Sequence, residues 1–309
     1  MEEEVIAPVP VEALLKELNE NTFLRKTNKG NNEIYDISQH DSPNVMQEVG
    51  RLREVTFRES GGGTGKAVDI DEFDLADEPY RQLLVWDPVD KAIVGGYRYI
   101  KCKDAAFDDK GKIMLSTTEI FEFTDKFMRD YIPATIELGR SFVQPDYQPS
   151  AENRKGLFSL DNLWDGLGAV IVNNPDIKYF FGKVTMYPTF EKNARDMILA
   201  FMKHFFPDDE NLVIPTNPLV CETDISEFMA SIKGLEYKEA HRILNQNVRA
   251  KGENIPPLVN TYMNISPSMK TFGTCVNSHF GDVEETGILV TIPDMYGSKV
   301  DRHIKTYQP

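Results

Sequence analysis

The sequence of 309 residues predicts an α/β layered fold. In some segments apolar residues recur at helical spacing, whereas in others they alternate or form short runs bounded by turn residues. The two kinds of segment follow one another along the chain, which is typical of helices packed on a sheet. Apolar residues make up 41% of the chain, which is enough for a sizeable core.

Local signals place the predicted elements in order. Leucines on one face predict a first amphipathic helix, and Ser42 with Pro43 provides the N-cap and first-turn proline of the second. The turn Asp87–Asp90 between two apolar runs indicates a β-hairpin, and Pro207 ends the last helix. The predicted elements are helix 11–21, turn 27–32, strand 33–37, helix 42–58, glycine-rich loop 61–65, strands 83–86, 92–100 and 135–143, helix 157–172, strand 179–186 and helix 190–206.

Composition and charge exclude several classes of protein. The net charge of −15 argues against a nucleic-acid partner, although most of it comes from residues 1–20 and 69–90. No apolar run approaches the ~20 residues that cross a bilayer, and the start Met1–Glu4 is acidic where a secretory signal is basic. The three cysteines are too far apart for a disulfide framework or a CxxC metal site. The sequence predicts a cytoplasmic protein.

Three motifs resemble ligand sites without meeting their spacing. The stretch Gly61–Lys66 lacks the first glycine and the final Ser or Thr of a phosphate loop, so we interpret it as a flexible connector. Asp69–Asp74 lacks the central glycine and terminal glutamate of a calcium loop, and the histidines have no paired-ligand spacing. No metal site is predicted. No serine or cysteine lies in a nucleophile elbow, so covalent catalysis has no candidate.

A set of charged residues in apolar strands is the strongest candidate for chemistry. Glu137 and Arg140 lie in strand 135–143, and Arg98 lies in strand 92–100. An unpaired buried charge is strongly destabilising, so these side chains need partners. Two interpretations stay open: a structural ion-pair network, or a desolvated glutamate that acts as a base beside arginines that bind an anion. The candidate partners are Arg53, Asp71 and Asp74.

The order of these residues resembles the signature of acyl-homoserine-lactone synthases and of the related N-acyltransferases that make ornithine and glycine lipids, which are often labelled hemolysin-like. The resemblance covers about residues 22–295 and is strongest to the glycine-lipid type of the Bacteroides group. It rests on Arg53-x-x-x-Phe57, Asp71-x-x-Asp74, Arg98 and Glu137-x-x-Arg140, and on the stretches Leu24–Asn28, Gly50–Glu54, Glu137–Val143, Tyr179–Val184 and Ile255–Tyr262.

The resemblance implies the fold of the GCN5-related N-acetyltransferases (GNAT), a mixed sheet flanked by helices with a C-terminal extension packed on it. It divides the chain into an N-terminal helical segment, residues 1–21, and a GNAT-like domain, residues 22–309. The extension begins at about residue 207.

The reaction implied by the resemblance belongs to amino-acid lipid biosynthesis. A long-chain acyl group, with or without a 3-hydroxyl, passes from the phosphopantetheine of acyl carrier protein, or from coenzyme A, to the amine of an amino acid such as glycine or ornithine. Glu137 would take the amine proton, directly or through a water. Arg140 or Arg98 would hold the acceptor carboxylate. The other expected substrate-binding residues are Arg53, Phe57, Asp71, Asp74, Trp86, Ser141, Phe142 and Val143, with core packing as the alternative for Phe57 and Trp86.

The stretch Val143–Gly156 lacks the glycine loop that binds the pyrophosphate of coenzyme A in this superfamily, which favours a carrier-protein donor. Carrier proteins are acidic, so Arg154 and Lys155 are candidate docking residues. A lipid product makes peripheral membrane contact an expectation. Two alternatives stay open: an acyl- or acetyl-coenzyme A enzyme that acts on another small amine, and a membrane-active or non-catalytic binding protein. The extra C-terminal section makes an autoinducer synthase the less favoured enzyme.

Overall fold

The computed structural model describes residues 2–148 and 155–309, with the backbone alone at Lys155. Its mixture of helices and strands confirms the predicted α/β class. The helices are α1 (Val11–Glu17), α2 (Pro43–Glu59), α3 (Glu72–Leu75), α4 (Asp125–Asp130), α5 (Ser159–Asn173), α6 (Lys192–Phe205), α7 (Ser226–Ile232), α8 (Tyr237–Ala250), α9 (Pro257–Met263) and α10 (Gly297–Lys299). The strands are β1 (Phe23–Lys26), β2 (Glu33–Ile37), β3 (Arg81–Asp87), β4 (Ala92–Lys101), β5 (Phe121–Phe123), β6 (Thr135–Val143), β7 (Tyr179–Met186), β8 (Val213–Pro215), β9 (Lys270–Asn277) and β10 (Val283–Thr291).

The chain forms two compact units. The first comprises Met1–Ser116, Ala134–Lys178 and Tyr296–Pro309, and its strands pair antiparallel in the order β1-β2-β3-β4-β6. The second comprises Thr117–Pro133 and Tyr179–Met295, with the antiparallel order β7-β10-β9 and a separate pair of β5 with β8. Every residue of the charged set lies in the first unit.

A helix covers each face of the sheet in the first unit. Gln82 and Arg98 are cross-strand neighbours on β3 and β4, so their side chains share one face. Arg53 of α2 donates to Gln82, which places α2 on that face. On the opposite face a Cβ at Gly166 of α5 would meet Leu83 Cδ2 at 2.7 Å. We call the two sides the α2 face and the α5 face.

A β-bulge in β6 changes the direction of Arg140. The pairing of β4 with β6 shifts register between Gly96 and Arg98, and at this shift Arg140 has φ of 46°. In a regular strand Arg140 and Glu137 would point to opposite faces, because they are an odd number of residues apart. The bulge instead brings the Arg140 guanidinium to Asp69, which lies against α2. The predicted extent of this strand is confirmed, and the bulge within it was not predicted.

Most other predicted elements agree with the structure to within about two residues, and the predicted hairpin is confirmed as β3 and β4. The first helix is shorter than predicted and ends at Glu17. Thr22 Oγ1 donates to the Glu17 carbonyl at 2.8 Å, and Asn19 Nδ2 donates to the Lys16 carbonyl at 3.1 Å. These side chains satisfy the last carbonyls of the helix and end it. Strand β1 was not predicted.

The second unit has an aromatic core. Phe127 of α4 contacts the rings of Phe123, Phe181 and Phe272, with centroid separations of 5.0, 5.3 and 6.1 Å. The tilted or edge-on arrangement of such rings adds to their burial. Over the described part of the chain, we find no helix with the length and apolar character needed to cross a membrane.

Candidate active site

Six charged side chains form one buried cluster on the α2 face. We call it the arginine–aspartate cluster. Each arginine in it bonds at least one aspartate, so the structure brings together the arginines and aspartates of the predicted set. Its members are Arg53, Asp69, Asp71, Asp74, Arg98 and Arg140.

The short helix α3 supplies two of the aspartates. Asp71 is its N-cap and accepts from the backbone N–H groups of Phe73 at 3.1 Å and Asp74 at 3.2 Å. Asp74 returns the contact by accepting from the Asp71 N–H, which completes a capping box. The local sequence Asp-x-x-Asp therefore orients both carboxylates through backbone hydrogen bonds, in addition to their bonds with arginine.

Asp74 joins two arginines that are almost fully buried. Its Oδ2 accepts from Arg53 Nη1 at 3.0 Å and from Arg98 Nη1 at 3.2 Å. Its Oδ1 accepts from Gln82 Nε2 at 3.0 Å, and the side-chain oxygen Oε1 of Gln82 accepts from Arg53 Nη2. The side chains of Arg53 and Arg98 are 0% and 1% exposed. This geometry favours the structural interpretation for both arginines.

The remaining pairs connect the bulge to the loop before α3. Arg140 Nε donates to Asp69 Oδ2 at 2.8 Å, and Arg140 Nη2 lies 3.5 Å from Asp71 Oδ2. Arg98 Nη1 contacts both carboxylate oxygens of Asp71 at 2.7 Å. Although burial opposes ionisation of Asp71, Arg98 and Arg140 hold the pKa of its carboxyl well below the ordinary value.

Glu137 lies beside the cluster on β6 and is 0% exposed. It accepts from Ser116 Oγ at 2.6 Å, and the Tyr80 hydroxyl accepts from the Ser116 N–H at 3.0 Å. Burial, followed by the charge of Glu137, raises the pKa of the Tyr80 phenol and of the Cys102 thiol well above their ordinary values. A buried carboxylate that accepts from a hydroxyl can serve as a proton acceptor.

The predicted aromatic lining is buried. Phe57 lies in α2 and is 7% exposed, and Trp86 lies in β3 and is 2% exposed. Both positions fit the core-packing alternative. Their predicted contact with substrate stays a prediction.

The rest of the predicted binding stretch follows the bulge on β6. Ser141 and Val143 are half-buried, and Phe142 is buried. A Cβ at Gly95 would lie 2.3 Å from the Phe142 carbonyl oxygen, so only glycine lets β4 approach β6 this closely.

The predicted docking residues cannot be placed in the same way. Arg154 lies outside the described residues, and Lys155 begins a 3-10 turn, Lys155–Phe158, with its side chain undescribed.

The glycine-rich loop encloses a carboxylate of this chain. Glu54 of α2 is 0% exposed and accepts from the N–H groups of Thr64 at 3.0 Å and Gly65 at 2.8 Å, and from Arg58 Nε at 2.7 Å. Amides that could bind a phosphate are therefore already in use, which agrees with rejecting a phosphate loop. The flexible-connector interpretation is wrong in one respect, because Glu54 gives the loop a defined conformation.

The acidic stretch before β3 has its carboxylates directed to arginines. Over the described ranges, no group of three or more His, Cys, Asp or Glu side chains is arranged to hold a metal ion.

A pocket of about 500 Å³ opens on the α5 face, with Arg81, Tyr99, Asn173 and Asn174 among its lining residues. The register of β3 and β4 puts Arg81 and Tyr99 on the face opposite Arg98. The pocket is therefore separate from the cluster.

Sequence reasoning missed several members of the site. Asp69, Gln82 and Ser116 bond the predicted residues directly, and the Tyr80 ring lies against the Arg98 guanidinium. Gln82 had a usable signal, since a polar side chain begins an apolar strand. Ser116 had none, because its partner Glu137 is 21 residues away.

Comparison with known proteins identifies relatives of the whole chain. Residues 52–154 match the family model described as "Acetyltransferase (GNAT) domain". A protein of Bacteroides thetaiotaomicron named "Glycine N(alpha)-acyltransferase" is 53% identical over 305 residues, covering 99% of this chain and 90% of that protein. A protein of Phocaeicola vulgatus with the same name is 52% identical over 305 residues, covering 99% and 94%.

Solved structures give a weaker likeness. A coenzyme A-dependent acyl-homoserine lactone synthase, BjaI, solved with MTA, covers 50% of this chain and 67% of its own, at 19% identity and a TM-score of 0.29. A match at this level carries no argument about donor or acceptor.

Proposed function

The chain belongs to the glycine N(alpha)-acyltransferase family and is an acyltransferase with a GNAT domain, and on this premise we propose that it acylates the amine of glycine. The acyl group is long-chain, with or without a 3-hydroxyl, and its donor is acyl carrier protein. The product is an N-acyl amino acid for lipid biosynthesis. The observation that carries the proposal is identity above 50% over 99% of the chain to two proteins of that name.

The chemistry needs a neutral amine. Glycine carries an ammonium group at neutral pH, so a base must take a proton before nitrogen attacks the thioester carbon. Glu137 is the residue we assign to this step, directly or through a water. The C–N bond forms as the C–S bond breaks, and the departing pantetheine thiolate takes a proton to become a thiol. The buried position of Glu137 beside Ser116 supports this assignment.

The acceptor carboxylate needs a cationic partner. We assign it to Arg140 rather than Arg98, because 14% of the Arg140 side chain is exposed against 1% for Arg98. A planar guanidinium suits a carboxylate geometrically. In this assignment Asp69 and Asp71 hold Arg140 in place. Arg53 and Arg98 stabilise the surrounding fold through their own ion pairs.

The donor assignment rests on sequence. The stretch Val143–Gly156 lacks the pyrophosphate loop of coenzyme A enzymes, and Arg154 with Lys155 offers positive charge for an acidic carrier. An N-acylated product with a long chain partitions into lipid, so peripheral membrane contact is part of the proposal.

The test is a transfer assay with matched donors. Long-chain acyl carrier protein, and separately the matching acyl-coenzyme A, is incubated with glycine, ornithine and other amino acids, and products are identified by mass spectrometry. We expect N-acylglycine from the carrier-protein donor, and almost none with Glu137→Gln, which keeps the size of the side chain and can still accept from Ser116. Wild-type rates from Glu137→Gln would refute the base assignment. Transfer only from coenzyme A would overturn the donor assignment, and product only with another amine would overturn the acceptor.

Carrier docking has its own test. The double variant Arg154→Glu with Lys155→Glu should raise KM for acyl carrier protein about tenfold and leave KM for acyl-coenzyme A unchanged. The matched control reverses the exposed lysines Lys233 and Lys238. An equal rise for both donors, or for the control, would contradict a docking role.

A further inference from the structure

We propose that Ser116 is a positioning residue for Glu137, whose hydroxyl keeps the carboxylate ionised and aimed. This inference rests on the proposed role of Glu137 as the base. Ser116 lies outside every motif of the sequence analysis, and nothing in its local sequence marks it. Its geometry is the argument.

The contact has the character of a charge-assisted hydrogen bond. Ser116 Oγ donates to Glu137 Oε1 at 2.6 Å, and the two residues are 3% and 0% exposed. A hydroxyl that donates to an ionised carboxylate lies at about 2.5–2.7 Å. In such a buried place the bond favours the charged form of the acid over the neutral form. A base in that form is ready to accept a proton.

A second hydrogen bond holds the backbone of Ser116. The Ser116 N–H donates to the Tyr80 hydroxyl at 3.0 Å, and Tyr80 is 1% exposed. The ring of Tyr80 packs edge-on against Phe73 at 5.7 Å, and the Arg98 guanidinium lies 4.9 Å from the Tyr80 ring centroid. Tyr80, the residue before β3, therefore anchors the Ser116 backbone, and the backbone position limits where the hydroxyl can reach.

Gly139 lies next to both the Arg98 side chain and the Ser116 hydroxyl. A Cβ at Gly139 would lie 3.4 Å from Arg98 Nε and 3.8 Å from Ser116 Oγ. Gly139 and Arg98 are cross-strand partners, so the Arg98 side chain and the Ser116 hydroxyl both reach the part of β6 that carries Glu137.

Tyr80, Arg98 and Cys102 are among the titratable groups near Glu137. Tyr80 precedes β3, Arg98 lies on β4, and Cys102 lies in the turn after β4. Tyr80 and Cys102 stay neutral at neutral pH, because burial and the charge of Glu137 raise the pKa of both groups. A change in the titration of Glu137 on removal of the Ser116 hydroxyl is therefore not masked by either group.

The first experiment is a double-mutant cycle. Ser116→Ala should lower kcat/KM about tenfold to a hundredfold, the expected effect of losing one hydrogen bond to a charged group. The acid limb of the pH profile of kcat/KM should move up by about one pH unit or more. Ser116→Thr should restore both values towards wild type. In a Glu137→Gln background Ser116→Ala should add almost nothing, since the serine acts through the glutamate.

The second experiment needs no activity. The side-chain carboxyl carbon of Glu137 is assigned by 13C NMR with Glu137→Gln as the reference, and its titration is compared in wild type and Ser116→Ala. We expect a higher midpoint in Ser116→Ala. Thr56→Ala is the matched control, because Thr56 is a buried hydroxyl whose Oγ1 donates only to the Leu52 carbonyl among its described contacts. It should leave the midpoint and the pH profile unchanged.

The outcomes separate this inference from the proposed function. An unchanged NMR midpoint in Ser116→Ala would overturn the positioning role, and so would a full loss of activity on adding Ser116→Ala to Glu137→Gln. A wild-type protein that transfers no acyl group would refute the proposed function alone, because the NMR titration still decides what Ser116 does to Glu137.

Discussion

Replacing Asp74 by asparagine should destabilise the first unit strongly. Asp74 Oδ2 accepts from Arg53 and Arg98, and Oδ1 accepts from Gln82. Asparagine keeps the side-chain volume but removes the negative charge. Its NH2 group would also face at least one of the N–H donors that now bond Asp74, so that hydrogen bond would be lost. Arg53 would keep two neutral acceptors, the Gln82 side chain and the Asp69 carbonyl. Removing one partner of a buried ion pair lowers the free energy of unfolding by about 3–5 kcal/mol, because the remaining charge is buried without compensation.

The measurement is urea unfolding followed by tryptophan fluorescence. Both tryptophans, Trp86 and Trp164, lie in the first unit, so the signal reports the unit that holds the cluster. The control is Asp176→Asn, since the pair of Asp176 with Lys103 is 54% and 39% exposed and should contribute about 1 kcal/mol or less. If the free energy of unfolding of Asp74→Asn lies within about 1 kcal/mol of the wild-type value, the buried cluster does not stabilise the first unit and the reasoning is refuted.

Two further predictions use the same signal. The pKa of Asp71 is depressed despite its burial, so its ion pairs stabilise the folded state above the unfolded value of 3.8 and lose this effect as pH falls through the folded value. Asp71→Asn should therefore have a free energy of unfolding about 2 kcal/mol below wild type at pH 7, and this difference in stability should narrow only below about pH 4. A difference in stability that is constant down to pH 2 would contradict this prediction. Gly95→Ala should lose about 1–3 kcal/mol by forcing a Cβ to 2.3 Å from the Phe142 carbonyl oxygen, whereas Gly297→Ala, with open space, should stay within about 0.5 kcal/mol. Equal stability of these two glycine variants would exclude the close approach of β4 to β6.

Periodicity and charge were enough to predict the strands that carry the site. A charge inside an apolar strand needs a partner, and this rule led from Arg98 to Asp71 and Asp74, which do bond it. The rule works because the cost of an unpaired buried charge does not depend on the details of the fold. It gives the chemical type of the partner, not its geometry.

The direction of Arg140 could not be predicted from its sequence. The apolar residues Leu138, Phe142 and Val143 indicate a strand but do not reveal a bulge, and a positive φ is uncommon for arginine. The bulge is set by pairing with β4, where Gly95 and Gly96 allow a close approach. Register between strands depends on residues far apart in sequence, so a single strand does not reveal it. The contact of Ser116 with Glu137 was missed for the same reason.

The cluster and Glu137 are best understood as parts with different roles. Arg53 and Arg98 have almost no exposed surface, and each bonds a carboxylate, so binding a further anion would require an existing pair to break. The same bonds hold α2, α3, β3 and β4 together around the strand that carries Glu137. A base is effective only when its position is fixed to a fraction of an ångström, and such a framework provides that rigidity. The two interpretations of the charged set therefore divide between residues: the bonds of Arg53 and Arg98 favour a structural network, and our proposal assigns acid–base chemistry to Glu137.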